Sequence, residues 1–316
     1  LLKNSNLITK KIIIVIIAAI AIYSIFLFFS DTQMVYEKLQ SFELKFIPII
    51  LIMIILGWLI LFIRWNFLLK NQSIKIPIKD NFLIYIAGFS LSISPLKSGE
   101  LLKAELLKNK FGVKRTTTIP IVLMERFYDI IGTVFVATII GGLILGTAFL
   151  PIILLVSAIT IIVFFIIYTK SVFNFLLSKF SKIKFLKRFI EPLGNSQEVL
   201  RRSSSPKLIL ISTALTVGWR FVEGIGIYFI LLGFGINLIE YLEIISIYST
   251  SIIIGAVSMS PAGLGITEMS LGGLLSLLGI ELSFALTLAI VIRIFTLWFG
   301  VIVGFVSLNF SYSSKN

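Results

Sequence analysis

The chain has 316 residues, 58% of them hydrophobic and 13% aromatic, and carries a formal charge of +13. Soluble domains are about 45–50% apolar, so this is the composition of a polytopic integral membrane protein, and its positive charge reads as loop lysine and arginine rather than a nucleic-acid surface. No cysteine or histidine occurs, which excludes disulfides, thiolate or imidazole metal sites, cysteine nucleophiles and Ser-His-Asp triads.

Lys3, Lys10 and Lys11 precede an apolar run over 12–30. It is too long for a signal sequence and lacks a small-x-small cleavage site, so a retained first transmembrane helix is expected. A near-neutral loop with Asp31, Glu37, Lys38, Glu43 and Lys45 leads to a second span over 46–63. Arg64, Lys70, Lys75 and Lys79 then form a basic loop, with Arg64 read as an interface anchor.

Residues 81–93 are apolar but too short to cross about 30 Å of hydrocarbon. They run into Ser94-Pro95-Leu96-Lys97-Ser98-Gly99-Glu100, and 101–113 returns with Lys103, Glu105, Lys108 and Lys110 before Lys114-Arg115. Basic residues on both flanks predict a re-entrant hairpin with an amphipathic or cavity-lining return limb. The apolar segment 119–149 carries Glu125, Arg126 and Asp129 in its first third, and 151–168 makes the next crossing.

The connection 170–207 holds nine lysines and arginines against Glu191 and Glu198. It is expected on the cytoplasmic side, with room for a short surface helix on anionic lipid. Residues 208–234 span outward with Arg220 and Glu223, and 235–243 carries Glu240 and Glu243 with no base, as suits an external face. The apolar run 244–259 is broken by Ser260-Pro261-Ala262-Gly263-Leu264-Gly265-Ile266-Thr267-Glu268, resumes over 269–280, and is followed by a last span over 282–308 with Arg293.

The two breaks echo each other. Each reads Ser-Pro, then Gly, then Glu; Glu100 is followed 26 residues on by Arg126, and Glu268 is followed 25 residues on by Arg293. Proline removes a backbone donor and glycine lowers the steric cost of leaving the helix. In lipid such backbone survives only where protein or a water-filled cavity satisfies it. The first hairpin opens on the basic side and the second on the acidic side. The expected fold is therefore all-α: one membrane domain over 1–316, built as an inverted repeat of 1–149 and 150–316. Each half has about three transmembrane helices and one broken hairpin.

A charge in mid-span costs about 2.5–3.5 kcal/mol on insertion scales, so each needs a partner or water. Arg126–Asp129 and Arg220–Glu223 are spaced i, i+3, as intrahelical pairs require. Arg293 has no acid within a turn of it, which points to Glu268 and, by the duplication, Arg126 to Glu100. Lys97 either binds an anionic headgroup or snorkels to the interface. Gly57-Trp58 and Gly218-Trp219 form a weaker echo, and Gly141-Gly142 and Gly272-Gly273 permit close helix packing within or between chains.

Pro95-x-x-x-Gly99-Glu100 followed by Leu123-Met124-Glu125-Arg126-x-x-Asp129, and Pro261-x-Gly263-Leu264-Gly265-x-x-Glu268 followed by Arg293, are similar to the two halves of a known family. It is the transmembrane region of lysylphosphatidylglycerol synthases, also called the flippase-like domain family, and the resemblance covers nearly the whole chain. It implies a membrane domain that moves phospholipids or other lipid-linked anionic groups between leaflets. Synthases of the family carry a soluble aminoacyl-tRNA-dependent transferase after this region. None is expected here, so the chain reads as a stand-alone, non-enzymatic membrane domain without lysyl transfer.

On this reading Lys97, Glu100, Arg126, Glu268 and Arg293 line a central polar cavity that contacts anionic headgroups. Pro95, Gly99, Glu125, Asp129, Arg220, Glu223, Pro261, Gly263 and Gly265 support it. Two alternatives stay open: a small-anion secondary transporter with a closed midplane pocket, and a non-transporting scaffold for a separate lipid-modifying enzyme or glycosyltransferase. An intramembrane hydrolase would lack a nucleophile–base pair. Membrane lipids are the expected partners, with no cofactor, no metal and no nucleic acid; a homo-oligomer or a membrane-enzyme partner is left open. The expected location is the plasma membrane, with the N-terminus cytoplasmic.

Overall fold

The computed structural model describes residues 32–94, 99–144, 150–180 and 196–313. The expected span over 12–30, and Pro95 and Lys97 of the first break, lie outside the described residues. Every regular element among the described residues is helical. In chain order these are α1 (Thr32–Gln40), α2 (Ile47–Asn71), α3 (Ile78–Ala87), α4 (Leu102–Phe111) and α5 (Arg115–Ile144). There follow α6 (Leu150–Tyr168), α7 (Lys170–Phe180), α8 (Gln197–Ser203) and α9 (Pro206–Gly233). The last are α10 (Tyr241–Val257), α11 (Ile266–Leu277), α12 (Leu282–Arg293) and α13 (Phe299–Ser313).

Three of the described stretches are long and apolar enough to cross a membrane: Leu44–Asn71, Pro206–Gly233 and Leu282–Ser311. The distribution of side chains is inverted relative to a soluble protein. Ile52, Ile55, Leu56, Leu59 and Ile63 are exposed along α2, and Ile302, Val306 and Phe310 along α13, while Arg64, Lys103 and Glu125 are completely buried. An apolar exterior of this extent suits hydrocarbon rather than water.

Local chemistry sets the helix ends. Pro206 begins α9 after an extended Ser205, where its missing N–H costs nothing. A reciprocal Glu240–Glu243 capping box starts α10. Inside α5, Pro120 cannot donate to the carbonyl four residues back, at Thr116. The Ser196 hydroxyl donates to that carbonyl instead, at 2.6 Å. Two more bonds fasten this connection, from the Tyr128 hydroxyl to the Ser203 carbonyl at 2.5 Å and from the Tyr168 hydroxyl to the Ser204 carbonyl at 2.6 Å.

The helices pack reciprocally. α2 lies along α9; α3 packs on α13, from the other half of the chain, and α10 packs on α5. The return limbs α4 and α11 pack on the helices that follow them, α5 and α12. At Gly304 an added Cβ would strike the backbone of Ser90, so glycine lets α13 lie directly on the 3-10 turn Gly88–Leu91 that extends α3. Ile93, beside the first break, and Leu264, within the second, share one apolar cluster with Leu297 and Val301. The two breaks therefore approach each other beside α12–α13, where a five-residue π-helical segment, Ile294–Trp298, follows directly on Arg293.

Sequence limits shift in one place that matters. α2 does not stop before Arg64 but continues through Arg64 and Lys70 to Asn71. The interface-anchor reading of Arg64 is thereby overturned: the side chain is wholly buried and faces Asp129 on α5.

Candidate functional site

The first break delivers Glu100 into a line of alternating charges. Glu100 stands just before α4, whose first turn carries Lys103, and α5 supplies Glu125, Arg126 and Asp129 at helical spacing. Lys103 Nζ lies 2.5 Å from Glu125 and 3.4 Å from Glu100. Arg126 reaches Glu100 at 2.9 Å on one side and Asp129 at 2.9 Å on the other. Arg64 of α2 closes the line at 2.7 Å from Asp129. The order is Glu125, Lys103, Glu100, Arg126, Asp129, Arg64: three carboxylates and three cations, each next to its opposite, with no net charge.

Isolated, each of these groups would be costly in hydrocarbon; alternation is what makes their burial tolerable. Arg64 at one end and Lys103, next to the other end, are held by further contacts. Arg64 donates to the Thr216 hydroxyl of α9 at 2.5 Å. Lys103 lies over the rings of Trp65 and Tyr85, 4.6 and 5.1 Å from their centroids, and a bond to Asn81 at 2.8 Å orients the Trp65 indole. The cation over these rings is held by the aromatic quadrupoles as well as by the carboxylates. Arg126 alone of the three cations keeps appreciable access, at 20% of its side chain against 0% for Lys103 and Arg64.

The second break is held differently. Pro261 opens a short 3-10 turn in which Ala262 is left-handed at φ 51°. Gly263 and Gly265 follow at φ 72° and 82°, values that glycine adopts without a Cβ clash. α11 starts there and carries Glu268, completely buried. Arg293, at the end of α12, donates through Nε to Glu268 at 3.0 Å and through Nη2 to the Ala262 carbonyl at 2.6 Å. One arginine thus ties the turn to the helix that leaves it.

A third group joins the halves. Arg220 of α9 pairs with Glu223 at 2.6 Å and donates to the Thr133 hydroxyl of α5 at 2.9 Å, with its guanidinium 4.0 Å from the Trp219 ring. Gly99 of the first break donates its N–H to the Ser94 hydroxyl at 2.5 Å.

The structure therefore brings Glu100 to Arg126, Glu268 to Arg293, Arg126 to Asp129 and Arg220 to Glu223. Two members of the line escaped sequence reasoning. Lys103 is not singled out among the charges of the amphipathic or cavity-lining return limb, although its i, i+3 spacing from Glu100 is a usable signal. Arg64 was masked by its place at the end of the apolar run.

The family model described as the lysylphosphatidylglycerol synthase TM region matches residues 16–304. A UPF0104 membrane protein of Methanocaldococcus jannaschii is 30% identical over 220 residues, 68% of this chain and 91% of the relative. One from Pyrococcus horikoshii is 24% identical over 93% of this chain and 95% of its own length. One from Methanothermobacter thermautotrophicus is 25% identical over 77% and 76%.

Proposed function

The chain belongs to the lysylphosphatidylglycerol synthase TM-region family, and from that premise we propose that it is a lipid translocase whose headgroup site is centred on Arg126. The observation that carries this reading is the buried line Glu125–Lys103–Glu100–Arg126–Asp129–Arg64, which offers one partly accessible cation, Arg126, to an anionic headgroup. Phospholipid or polyprenyl-phosphate-type headgroups would pass along this polar track while acyl tails stay in the bilayer.

The same proposal includes the architecture. The matched breaks and the reciprocal packing of α3 on α13 and α10 on α5 support an inverted repeat, 1–149 and 150–316, with two re-entrant hairpins meeting near the midplane. The basic 170–207 connection supports a cytoplasmic face for it, and so a cytoplasmic N-terminus in the plasma membrane. Of the residues assigned to the headgroup, Glu100 and Arg126 take that role. Glu268 and Arg293, at 0% and 5% side-chain exposure, hold the second turn in place. No bond-making chemistry is assigned to the chain.

A non-transporting scaffold is the second reading, and one observation favours it: every cation of the line already has a carboxylate. Leaflet exchange of labelled phosphatidylglycerol in proteoliposomes separates the two. The translocase reading expects exchange above protein-free vesicles, lost in Arg126→Gln with the protein still folded. Exchange no faster than in protein-free vesicles supports the scaffold.

A further inference from the structure

We infer that Glu100 is a proton-binding site coupled to headgroup binding: it takes up a proton when an anionic headgroup reaches Arg126. This deepens the translocase reading and rests on it.

The line is electrically closed, three carboxylates against three cations. A phosphodiester arriving at Arg126 would meet two carboxylates already on that guanidinium, Glu100 and Asp129. Adding an uncompensated negative charge at a site this buried is unfavourable. Neutralising one carboxylate removes the conflict, and the pairing pattern picks out which one. Lys103 touches Glu125 as well as Glu100, and Arg126 touches Asp129 as well as Glu100. A proton on Glu100 therefore leaves Lys103 with Glu125, and Arg126 and Arg64 with Asp129. No cation is stranded, and the line acquires one net positive charge at its most accessible member. A proton on Asp129 would instead remove the carboxylate that Arg64 reaches, and Glu125 touches Lys103, away from Arg126.

Among the described residues, Lys103 on α4 and Arg126 on α5 face Glu100, with Glu125 and Asp129 one step beyond them. Tyr85 of α3 is within electrostatic reach, and Arg64 of α2 stands behind Asp129. At the second break, neutralising Glu268 removes the carboxylate to which Arg293 Nε donates, while Nη2 stays on the Ala262 carbonyl. The proton site is thus a property of the first break.

The probe is short-chain phosphatidylglycerol, a phosphodiester with a fixed single charge over the working range. A phosphomonoester would add its own titration near pH 6. Calorimetry of the detergent-solubilised full chain, in two buffers of different ionisation enthalpy, gives protons bound per headgroup. Linkage predicts roughly one proton taken up, and affinity that rises roughly tenfold for each unit of pH lowered. Glu100→Gln binds with no proton uptake and no pH dependence, whereas Glu268→Gln keeps both. Wild-type binding without proton uptake overturns the inference whether or not either variant folds, and uptake that persists in a folded Glu100→Gln also overturns it. Proton-linked binding without leaflet exchange leaves the inference standing and removes the translocase reading. No binding at all removes both.

Discussion

The two breaks share a sequence pattern, Ser-Pro, Gly, Glu and a distant Arg, yet they hold their charges in different ways. In the first, Glu100 and Arg126 are the middle of a six-member line, and each has a second partner of opposite sign. In the second, Glu268 and Arg293 form a pair closed on the carbonyl of a left-handed Ala262. A line with redundant partners can lose or gain one charge and remain paired. A pair closed on its own turn cannot. The difference teaches that a shared sequence pattern need not mean a shared arrangement: the first break has electrostatic slack, and the second is tied to its own turn.

The largest expected effect comes from Lys103→Met. It leaves Glu125 without its cation in a buried site, beside a Glu100 that keeps Arg126, and loss of a buried partner costs about 3–5 kcal/mol. Thermal unfolding in detergent is expected to show a larger drop in midpoint than Glu268→Gln, Gly304→Ala or Ser196→Ala. A drop no larger than that of an exposed pair such as Glu105–Arg115 would break the account of the line.

The comparison itself is sharpened by Glu268→Gln against Glu100→Gln. The first is expected to destabilise by about 3 kcal/mol, because it uncovers a buried guanidinium. The second is expected to cost clearly less, since every cation keeps a carboxylate. Equal midpoints for the two variants would count against the asymmetry.

Packing where the breaks meet is tested by Gly304→Ala. The new methyl meets the backbone of Ser90, and overpacking of that kind costs about 1–3 kcal/mol. The smallest effect is expected of Ser196→Ala, which leaves the Thr116 carbonyl above Pro120 without its donor, at about 1 kcal/mol. Both are read from the same unfolding curves.

Much of this was legible in the sequence because charge and proline are conspicuous in apolar surroundings. Arg293 had no acid within a turn, so its partner had to lie elsewhere, and Glu268 was the residue that the echo offered. The i, i+3 spacings of Arg126–Asp129 and Arg220–Glu223 fixed those pairs directly. Arg64 and Lys103 were harder, for a physical reason. A long basic side chain near the end of an apolar run looks the same in sequence whether it snorkels outward or turns inward. Only the position of Asp129 one helix away, and of Trp65 and Tyr85 beneath the ammonium, decides between them. The Ala262 carbonyl as an arginine partner was not legible either, since backbone acceptors carry no residue signature. Nor was the π-helical segment after Arg293, which depends on how α12 and α13 meet.

The most direct test of the central claim pairs two charge-neutral double variants in the leaflet-exchange assay. Glu100→Gln with Arg126→Gln leaves two intact pairs, Glu125–Lys103 and Asp129–Arg64. Glu268→Gln with Arg293→Gln removes the second-break pair whole. The account predicts that the first double variant folds and moves no phosphatidylglycerol above protein-free vesicles, while the second, once folded, still moves it. Exchange by the first double variant at the wild-type rate would contradict the account, because the headgroup would then be crossing somewhere other than Arg126.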